Sequence, residues 1–259
     1  MNVIWAIAIV VLKELYRRKD FYVLFVLTAL ITLTMGSVNF FNDHSIVRYL
    51  KEFCLLLIWI SSLVIAIATA ARQIPAEREN RTIFPLLAKP VSRAQLILGT
   101  FSGCWLACGV CLLVFYFFFG VIAASREHQW PVANYFQALA LHWFALGVLV
   151  AVTLLGSIVF AAPSSNGTII FVIAVGILAI GRHLNKVALQ LAEPGRSIIY
   201  ATYYLIPHLE LFDVRDLIIH DLPLVPWHIW ALALLYAAAY TAFFLGGAWL
   251  LFRRRPLTT

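Results

Sequence analysis

Charged residues are scarce in this chain of 259 residues, at 12% of the sequence, whereas hydrophobic residues make up 63%. Soluble domains carry about 25% charged and about 45–50% apolar residues, so this composition excludes an ordinary soluble enzyme. Disorder, coiled coils and collagen are excluded as well, since each of them needs polar or repetitive sequence. The class that remains is an all-α polytopic membrane protein.

Cysteine is also scarce, and none of the four residues lies in a polar loop where a disulfide framework would be expected. Cys54 lies in one apolar run, and Cys104, Cys108 and Cys111 lie in another, where they share a helix face at i, i+4 and i+7. Three thiolates on one face could bind a soft metal such as Cu(I). Cysteine in apolar surroundings also packs as a small hydrophobe, and we predict this structural role and no metal site.

The seven histidines are predicted to be scattered surface residues at membrane interfaces. They are His44, His128, His142, His183, His208, His220 and His228, and all fall in or next to the segments that are expected on the outer side of the membrane. Sensing of pH or metal binding is the alternative interpretation for them.

Motifs for nucleotide binding and for hydrolytic catalysis are missing. The sequence has no Gly-x-x-x-x-Gly-Lys-Ser/Thr loop, no His-Glu-x-x-His and no Gly-x-Ser-x-Gly. The chain is therefore not expected to hydrolyse ATP by a P-loop mechanism, and a stand-alone membrane enzyme is the weaker alternative. The apolar runs also contain almost no ionisable residues at depth, which argues against an ion-coupled secondary transporter.

Six apolar runs are long enough to cross a hydrocarbon core of roughly 30 Å. They cover residues 21–40, 53–71, 96–124, 135–161, 168–180 with flanks, and 229–252. Gly181 and Arg182 are expected to end the fifth run early. Residues 3–12 are too few to span and lead into a basic cluster, which favours an interfacial helix over a frayed start of the first span.

The distribution of basic residues sets the expected orientation. With the N-terminus inside, twelve of the 19 lysines and arginines fall in inside segments and seven in outside segments. This bias predicts a multi-pass protein of the cell (inner) membrane with both termini cytoplasmic. It also accounts for the net charge of +7 without a nucleic-acid partner.

The largest polar excursion, residues 182–228, is expected on the outer side. It is rich in Leu, Ile and Tyr and is punctuated by prolines, so we predict short helices packed on the outer face. A single domain, 1–259, accounts for the chain.

The cytoplasmic link between spans two and three, residues 72–93, is predicted to form a short helix across the membrane surface. Pro75 suits the first turn of such a helix, and Glu77 and Glu79 suit its N-terminal dipole. Apolar side chains follow on one face, and Lys89-Pro90 ends the helix. The charges could pair with another protein; a solvated positive-inside loop is the alternative.

Several segments resemble a known family. Glu-Arg-Glu-Asn-Arg-Thr-Ile at 77–83 and Leu-Leu-Ala-Lys-Pro-Val-Ser-Arg at 86–93, followed by Leu96 and Gly99, resemble the coupling-helix signature of ABC-2 type permeases. These segments look like those of the group that includes the nitrous-oxide-reductase maturation and gliding-motility permeases. The basic segment 13–19 looks like the elbow helix of that family, and Pro-His-Leu-Glu-Leu-Phe-Asp at 207–213 looks like part of its outer segment. This sequence departs from the pattern of that family at Asn80, Arg81, Pro85 and Thr100.

The resemblance implies a permease half that forms a homodimer and docks a separate ABC ATPase subunit on its cytoplasmic side. The residues implied in ATPase coupling are Glu77, Arg78, Glu79, Arg81, Thr82, Ile83, Leu86 and Leu87. No cofactor would bind this chain directly, since ATP with Mg would lie in the partner. Export of a substrate is the expected activity. A mechanical role on an extracytoplasmic protein partner, acting through residues 182–228, is the alternative.

Gly99 and Gly103 form a Gly-x-x-x-Gly motif at the start of span three, and Ala107 continues the same face. Small residues let helix backbones approach closely. We predict that this face packs within one subunit; a contact between subunits is the alternative.

Overall fold

The computed structural model describes residues 3–17, 22, 26, 29–30, 44–79, 91–127, 132–160 and 162–254, and within these ranges it contains helices and no strand. The helices with described bounds are α1 Val3–Arg17, α2 His44–Glu79, α3 Arg93–Glu127, α4 Val132–Val159, α5 Pro163–Gln190, α6 Gly195–Leu205, the 3₁₀ turn Leu209–Phe212, α7 Arg215–Ile219 and α8 Trp227–Arg254. The expectation of an all-helical protein therefore agrees with the part of the chain that is described.

Five of these helices are long and apolar enough to cross a membrane. Their candidate spans are Arg48–Ala76, Arg93–Ala124, Val132–Val159, Pro163–Gly181 and Trp227–Arg254. They correspond to the second to sixth apolar runs of the sequence. The first predicted run, 21–40, lies largely outside the described residues, so the count of six spans stays a prediction.

The prediction that Pro75 begins a separate helix was wrong. Pro75 lies inside α2, which is continuous from His44 to Glu79. A proline inside a helix removes one backbone hydrogen bond and crowds the preceding turn. Here the neighbouring Gln73 and Ile74 are buried against the rest of the protein, and this tertiary packing holds the helix through the proline. The start of the predicted loop helix is thus the end of α2.

The fifth helix shows a similar difference. The apolar stretch ends at Gly181, as expected, but α5 continues to Gln190. The Glu210 carboxylate lies against Gly181, and a Cβ at this position would come within 2.7 Å of Glu210 Oε2. The glycine therefore makes room for the outer segment and does not end the helix.

The first helix packs along the glycine face of α3. Ile7 and Val11 of α1 face Gly99 and Gly103, where an added Cβ would lie 2.6 Å from the Ile7 Cβ and 2.7 Å from the Val11 Cβ. The intrachain use of the Gly-x-x-x-Gly motif is thereby confirmed, with Ala107 buried beside it. That residues 3–17 form a helix agrees with the sequence interpretation; the interfacial position of this helix stays a prediction.

The core is built around α4, which contacts α2, α3, α5 and α8. Its Val148, Val150, Ala151 and Leu154 are almost completely inaccessible. The last helix, α8, buries only a narrow stripe, Ala237, Leu245, Ala248 and Phe252. Its remaining apolar surface faces outward, which is typical of a helix at the lipid-facing edge of a membrane bundle.

Short helices cover one end of the bundle, as predicted for residues 182–228. Leu209 and Phe212 of the 3₁₀ turn and Ile218 and Ile219 of α7 are buried. These elements contact α2, α4 and α5. We refer to residues 206–226 as the outer layer.

Candidate functional site

One end of the bundle brings together the C-termini of α2 and α8 and the N-terminus of α3. Arg93 Nη1 donates hydrogen bonds to the carbonyl oxygens of Phe252 and Arg253, and its guanidinium lies 5.4 Å from the centroid of the Phe252 ring. Carbonyl groups at the end of a helix lack intrahelical partners and favour a cation. Arg93, the last residue of the family-like motif, therefore fixes the start of α3 to the end of α8.

Only part of the predicted coupling site falls within the described residues. Glu77, Arg78 and Glu79 are the last three residues of α2, at the same end of the bundle as Arg93. Arg81, Thr82, Ile83, Leu86 and Leu87 lie outside the described residues. The structure thus places the first three at the end of one helix, and their grouping with the other five stays a prediction.

A cleft of about 560 Å³ opens beside α2 at this end. Its walls come from α2 and α5, and it includes Arg72, Ser164 and Thr168 among mostly apolar residues such as Ile67 and Phe171. Arg72 lies five residues before Glu77, the first of the predicted coupling residues, on the same helix. A displacement of the end of α2 would change the shape of this cleft directly.

The opposite end of α2 is attached to the outer layer by a buried lysine. Lys51 is only 2% exposed, and its Nζ donates to the Ile218 carbonyl at 3.4 Å and to Asp221 Oδ1 at 3.1 Å. The Asp221 side chain is 68% exposed, and its backbone is left-handed, with φ of 49°, a conformation that aspartate tolerates. The lysine is thereby compensated by a carboxylate at the edge of the protein.

A second attachment lies further along α2. Arg215 forms a two-pronged salt bridge with Asp213, with Nε–Oδ1 and Nη2–Oδ2 distances of 2.8 Å. Its guanidinium lies 5.8 Å from the centroid of the Trp59 ring. The hydrogen bonds that Arg215 donates to the Asp213 carboxylate raise the pKa of Arg215 above its ordinary value, which keeps the guanidinium charged over the Trp59 ring.

Beneath Arg215, a buried polar cluster joins three spans. His142 of α4 is fully buried, its Nε2 lies 2.8 Å from Ser62 Oγ of α2, and its ring stacks on Trp59 at 4.1 Å. Tyr116 of α3 approaches His142 Nδ1 at 3.5 Å. We call Trp59, Ser62, Tyr116 and His142 the histidine cluster. Polar contacts of this kind hold membrane helices together.

The prediction that all histidines are surface residues was therefore wrong for His142. The sequence carried a signal for its burial, because His142 lies inside the fourth apolar run, where a polar residue must find a partner within the protein. Ser62 and Tyr116 gave no such signal, since both residue types are common in spans. Their grouping is a product of the tertiary fold.

The family-like stretch 207–213 secures the outer layer to α8. The His208 backbone N–H donates to Tyr236 Oη at 3.0 Å, and His208 Nδ1 lies 3.0 Å from Glu210 Oε1. Leu209 and Phe212 supply the buried side of the same turn. The stretch is thus a structural anchor between the outer layer and α8.

Gln137 of α4 makes a further anchor that the sequence did not predict. Its side-chain amide donates to the Val225 carbonyl at 3.0 Å and accepts from the Val225 N–H at 3.1 Å. Trp230 Nε1 also donates to the Gln137 carbonyl at 3.3 Å. A glutamine within an apolar run was the available signal, because such an amide needs buried partners.

The four cysteines are free and buried, as expected for apolar packing residues. Cys104, Cys108 and Cys111 lie in the core of α3. In the part of the chain that the structure describes, no group of three or more His, Cys, Asp or Glu side chains could hold a metal ion.

Comparison with known proteins identifies the family. A family model described as ABC-2 family transporter protein matches residues 4–257. The chain belongs to the ABC-2 transporter family. It is a membrane permease of an ABC transporter, and this family is the transmembrane component and not itself an ATPase. The family implies association of the permease with an ABC ATPase partner. No curated protein matches the sequence.

Proposed function

We propose that this permease is driven by a separate ATPase subunit that docks at the end of α2 and on residues 80–90, and that a dimer of the permease exports a substrate. The observation that carries the proposal is the continuity of α2. At a rise of about 1.5 Å per residue, its 36 residues extend over about 54 Å. One helix thereby connects Glu79 with the outer layer at Lys51.

The docking surface would combine charge and apolar contacts. Glu77, Arg78, Glu79 and Arg81 would pair with opposite charges on the ATPase, with Thr82 beside them. Ile83, Leu86 and Leu87 would seat the segment in a hydrophobic groove. ATP with Mg would be bound and hydrolysed in the partner, and closure of the ATPase pair would displace the end of α2.

The basic residues support placing this end in the cytoplasm. Arg72 and Arg93 lie at the same end of the bundle as Arg253 and Arg254 of α8. Cytoplasmic segments of membrane proteins are enriched in Lys and Arg. We therefore infer that both termini are cytoplasmic and that the outer layer faces the other side of the cell (inner) membrane.

A mechanical role is the second candidate, and the attachment of the outer layer to α2 favours it. Lys51 and the Trp59–Arg215 contact connect the same helix to residues 213–221. Movement of α2 would then reach an extracytoplasmic protein bound to the outer layer. Stimulation of the ATPase by a solute in vesicles would support export, whereas stimulation by a soluble outer protein would support the mechanical role.

Purification of the tagged permease in mild detergent, with mass spectrometry of the proteins that accompany it, tests the coupling. We expect a stoichiometric P-loop ATPase that is lost in the Glu79→Arg variant. Glu52→Arg is the matched control, because Glu52 is an exposed carboxylate on the opposite half of the same helix. Equal recovery of the ATPase with Glu79→Arg would remove Glu79 from the docking surface. A permease that is stable and isolated without any ATPase would favour a stand-alone enzyme or scaffold.

A further inference from the structure

A groove with a volume of about 490 Å³ lies between α3 and α8, over the surface of α4. Its lining includes Ile97, Phe101 and Trp105 of α3, Phe144 of α4, and Leu245 and Trp249 of α8. The lining is almost entirely apolar. The volume is in the range of small-molecule sites, about 300–1,000 Å³.

The groove is about as long as one membrane leaflet is thick. Its α8 wall covers residues 238–249, which at about 1.5 Å per residue is about 16 Å, or about half of a 30 Å hydrocarbon core. The wall borders open space at Gly246, because a Cβ added there would meet no atom within 4 Å. A flexible hydrocarbon chain that runs along the helix fits these dimensions.

Positive charge lies at one end of the groove. The Arg253 guanidinium lies 5.7 Å from the centroid of the Trp249 ring, which lines the groove. Arg254 follows on the same helix end and is exposed, and Arg93 adjoins the lining residue Ala94. Arginine pairs well with phosphate, and basic pockets between spans bind acidic lipid headgroups.

We propose that this groove binds an anionic glycerophospholipid, with one acyl chain along α8 and the phosphate against Arg253 and Arg254. The apolar lining is complementary to the acyl chain, and the arginines at one end of the groove are complementary to the phosphate. Because apolar contact alone does not distinguish one membrane lipid from another, the arginines select the net negative charge. The class of lipid follows from the apolar groove together with the arginines at its end, and it does not depend on the proposed orientation in the membrane.

Native mass spectrometry of the purified permease in detergent tests this site, with phosphatidylglycerol and phosphatidylethanolamine of identical acyl chains as probes. We expect tighter binding of phosphatidylglycerol. Arg253→Gln should weaken its binding about fivefold, since a basic residue near the headgroup contributes about 1 kcal/mol, and should leave phosphatidylethanolamine unaffected. Arg196→Gln is the control, because Arg196 also lies over an aromatic ring, that of Tyr200, in the outer segment.

The groove itself is tested by Gly246→Leu, because Gly246 lines the groove and a Cβ added there meets no atom within 4 Å, so the larger side chain competes with a bound lipid for this space. This variant should weaken the binding of both lipids. Gly176→Leu is the matched control, because a Cβ at Gly176 of α5 also meets nothing within 4 Å and lies away from the groove. Equal affinity for the two lipids, or unchanged binding by Gly246→Leu, would overturn the proposal.

Cross-linking from Gly246→Cys tests whether a protein segment occupies the groove. A cross-link to a second copy, or to residues 18–43 of the same chain, would give the groove a protein occupant and would also overturn the proposal; labelling only by a lipid-soluble thiol reagent supports it. All these measurements use the permease chain without the ATPase. Their failure is therefore distinguishable from a failure of the proposed coupling.

Discussion

Trp105 and Trp143 exchange hydrogen bonds across α3 and α4. The indole Nε1 of each donates to the backbone carbonyl of the other at 2.9 Å, and the rings stack with centroids 4.5 Å apart. Two glycines make this possible. A Cβ at Gly109 would lie 2.7 Å from Trp143 Nε1, and one at Gly147 would lie 3.0 Å from Trp105 Nε1. The reciprocal pair therefore fixes the register of the two helices.

Replacement of Trp143 by phenylalanine should destabilise the contact between α3 and α4. The variant keeps an aromatic ring but loses the N–H, and hydrogen bonds between membrane helices are worth about 0.6–1.7 kcal/mol. We expect a lower midpoint of thermal unfolding in detergent. Trp5→Phe is the control, since Trp5 is half exposed on α1. Equal midpoints for the two variants would contradict a structural role of the exchanged hydrogen bonds.

Gly99→Ala should loosen α1 from α3. The new methyl group would collide with the Ile7 Cβ and approach the Ile4 carbonyl oxygen at 3.0 Å, and overpacking of this kind costs about 1–3 kcal/mol. We expect faster cleavage within residues 3–17 by added protease. Gly176→Ala lacks this steric conflict and should be neutral or slightly stabilising, because alanine favours helix. A Gly99→Ala protein as resistant as the wild type would show that the α1–α3 packing tolerates a side chain.

Ser62→Ala should weaken the histidine cluster. It removes the hydroxyl next to His142 Nε2, and an unsatisfied buried polar group costs about 1–3 kcal/mol. Ser157→Ala is the matched control, because the buried Ser157 hydroxyl bonds only the Leu154 carbonyl one turn back among the described residues. We expect Ser62→Ala to lower the unfolding midpoint more than Ser157→Ala does; the reverse order would contradict the importance of the cluster.

Asp221→Asn should loosen the outer layer from α2 without changing the backbone, because asparagine also tolerates a positive φ. It weakens the contact with Lys51 by up to about 1 kcal/mol, since Asp221 is largely exposed. The measurement is hydrogen exchange at the Leu222 amide, which donates to the Leu217 carbonyl. We expect exchange up to about fivefold faster, and no change with Glu52→Gln. Unchanged exchange in Asp221→Asn would show that the salt bridge does not hold this turn.

Apolar length predicted the long helices of the described residues, because a helix in lipid must satisfy its backbone internally and its side chains must be apolar. This constraint explains why the second to sixth runs coincide with α2, α3, α4, α5 and α8. Local rules failed where packing overrides them. Pro75 predicts the start of a helix by local rules, yet α2 continues through it to Glu79 because the residues around it are buried.

Contacts between distant segments could not be predicted from the sequence. Lys51 and Asp221 are 170 residues apart, and Ser62 and His142 are 80 apart. Each residue alone fits an ordinary position near a span. The Gly-x-x-x-Gly face was the exception, because two glycines at this spacing predict a close contact with another helix, whichever helix that is. The sequence predicted that contact, and the structure supplied α1 as its partner.

Hydrogen exchange of the outer layer in the complex with the ATPase tests the central claim most directly. The complex would be compared without nucleotide and with ATP trapped by vanadate. If α2 connects the ATPase to the outer layer, trapping changes the protection of residues 215–222, Glu79→Arg abolishes the change, and Glu52→Arg preserves it. Protection of this segment that does not respond to trapping, in a complex with active ATPase, would contradict the coupling through α2.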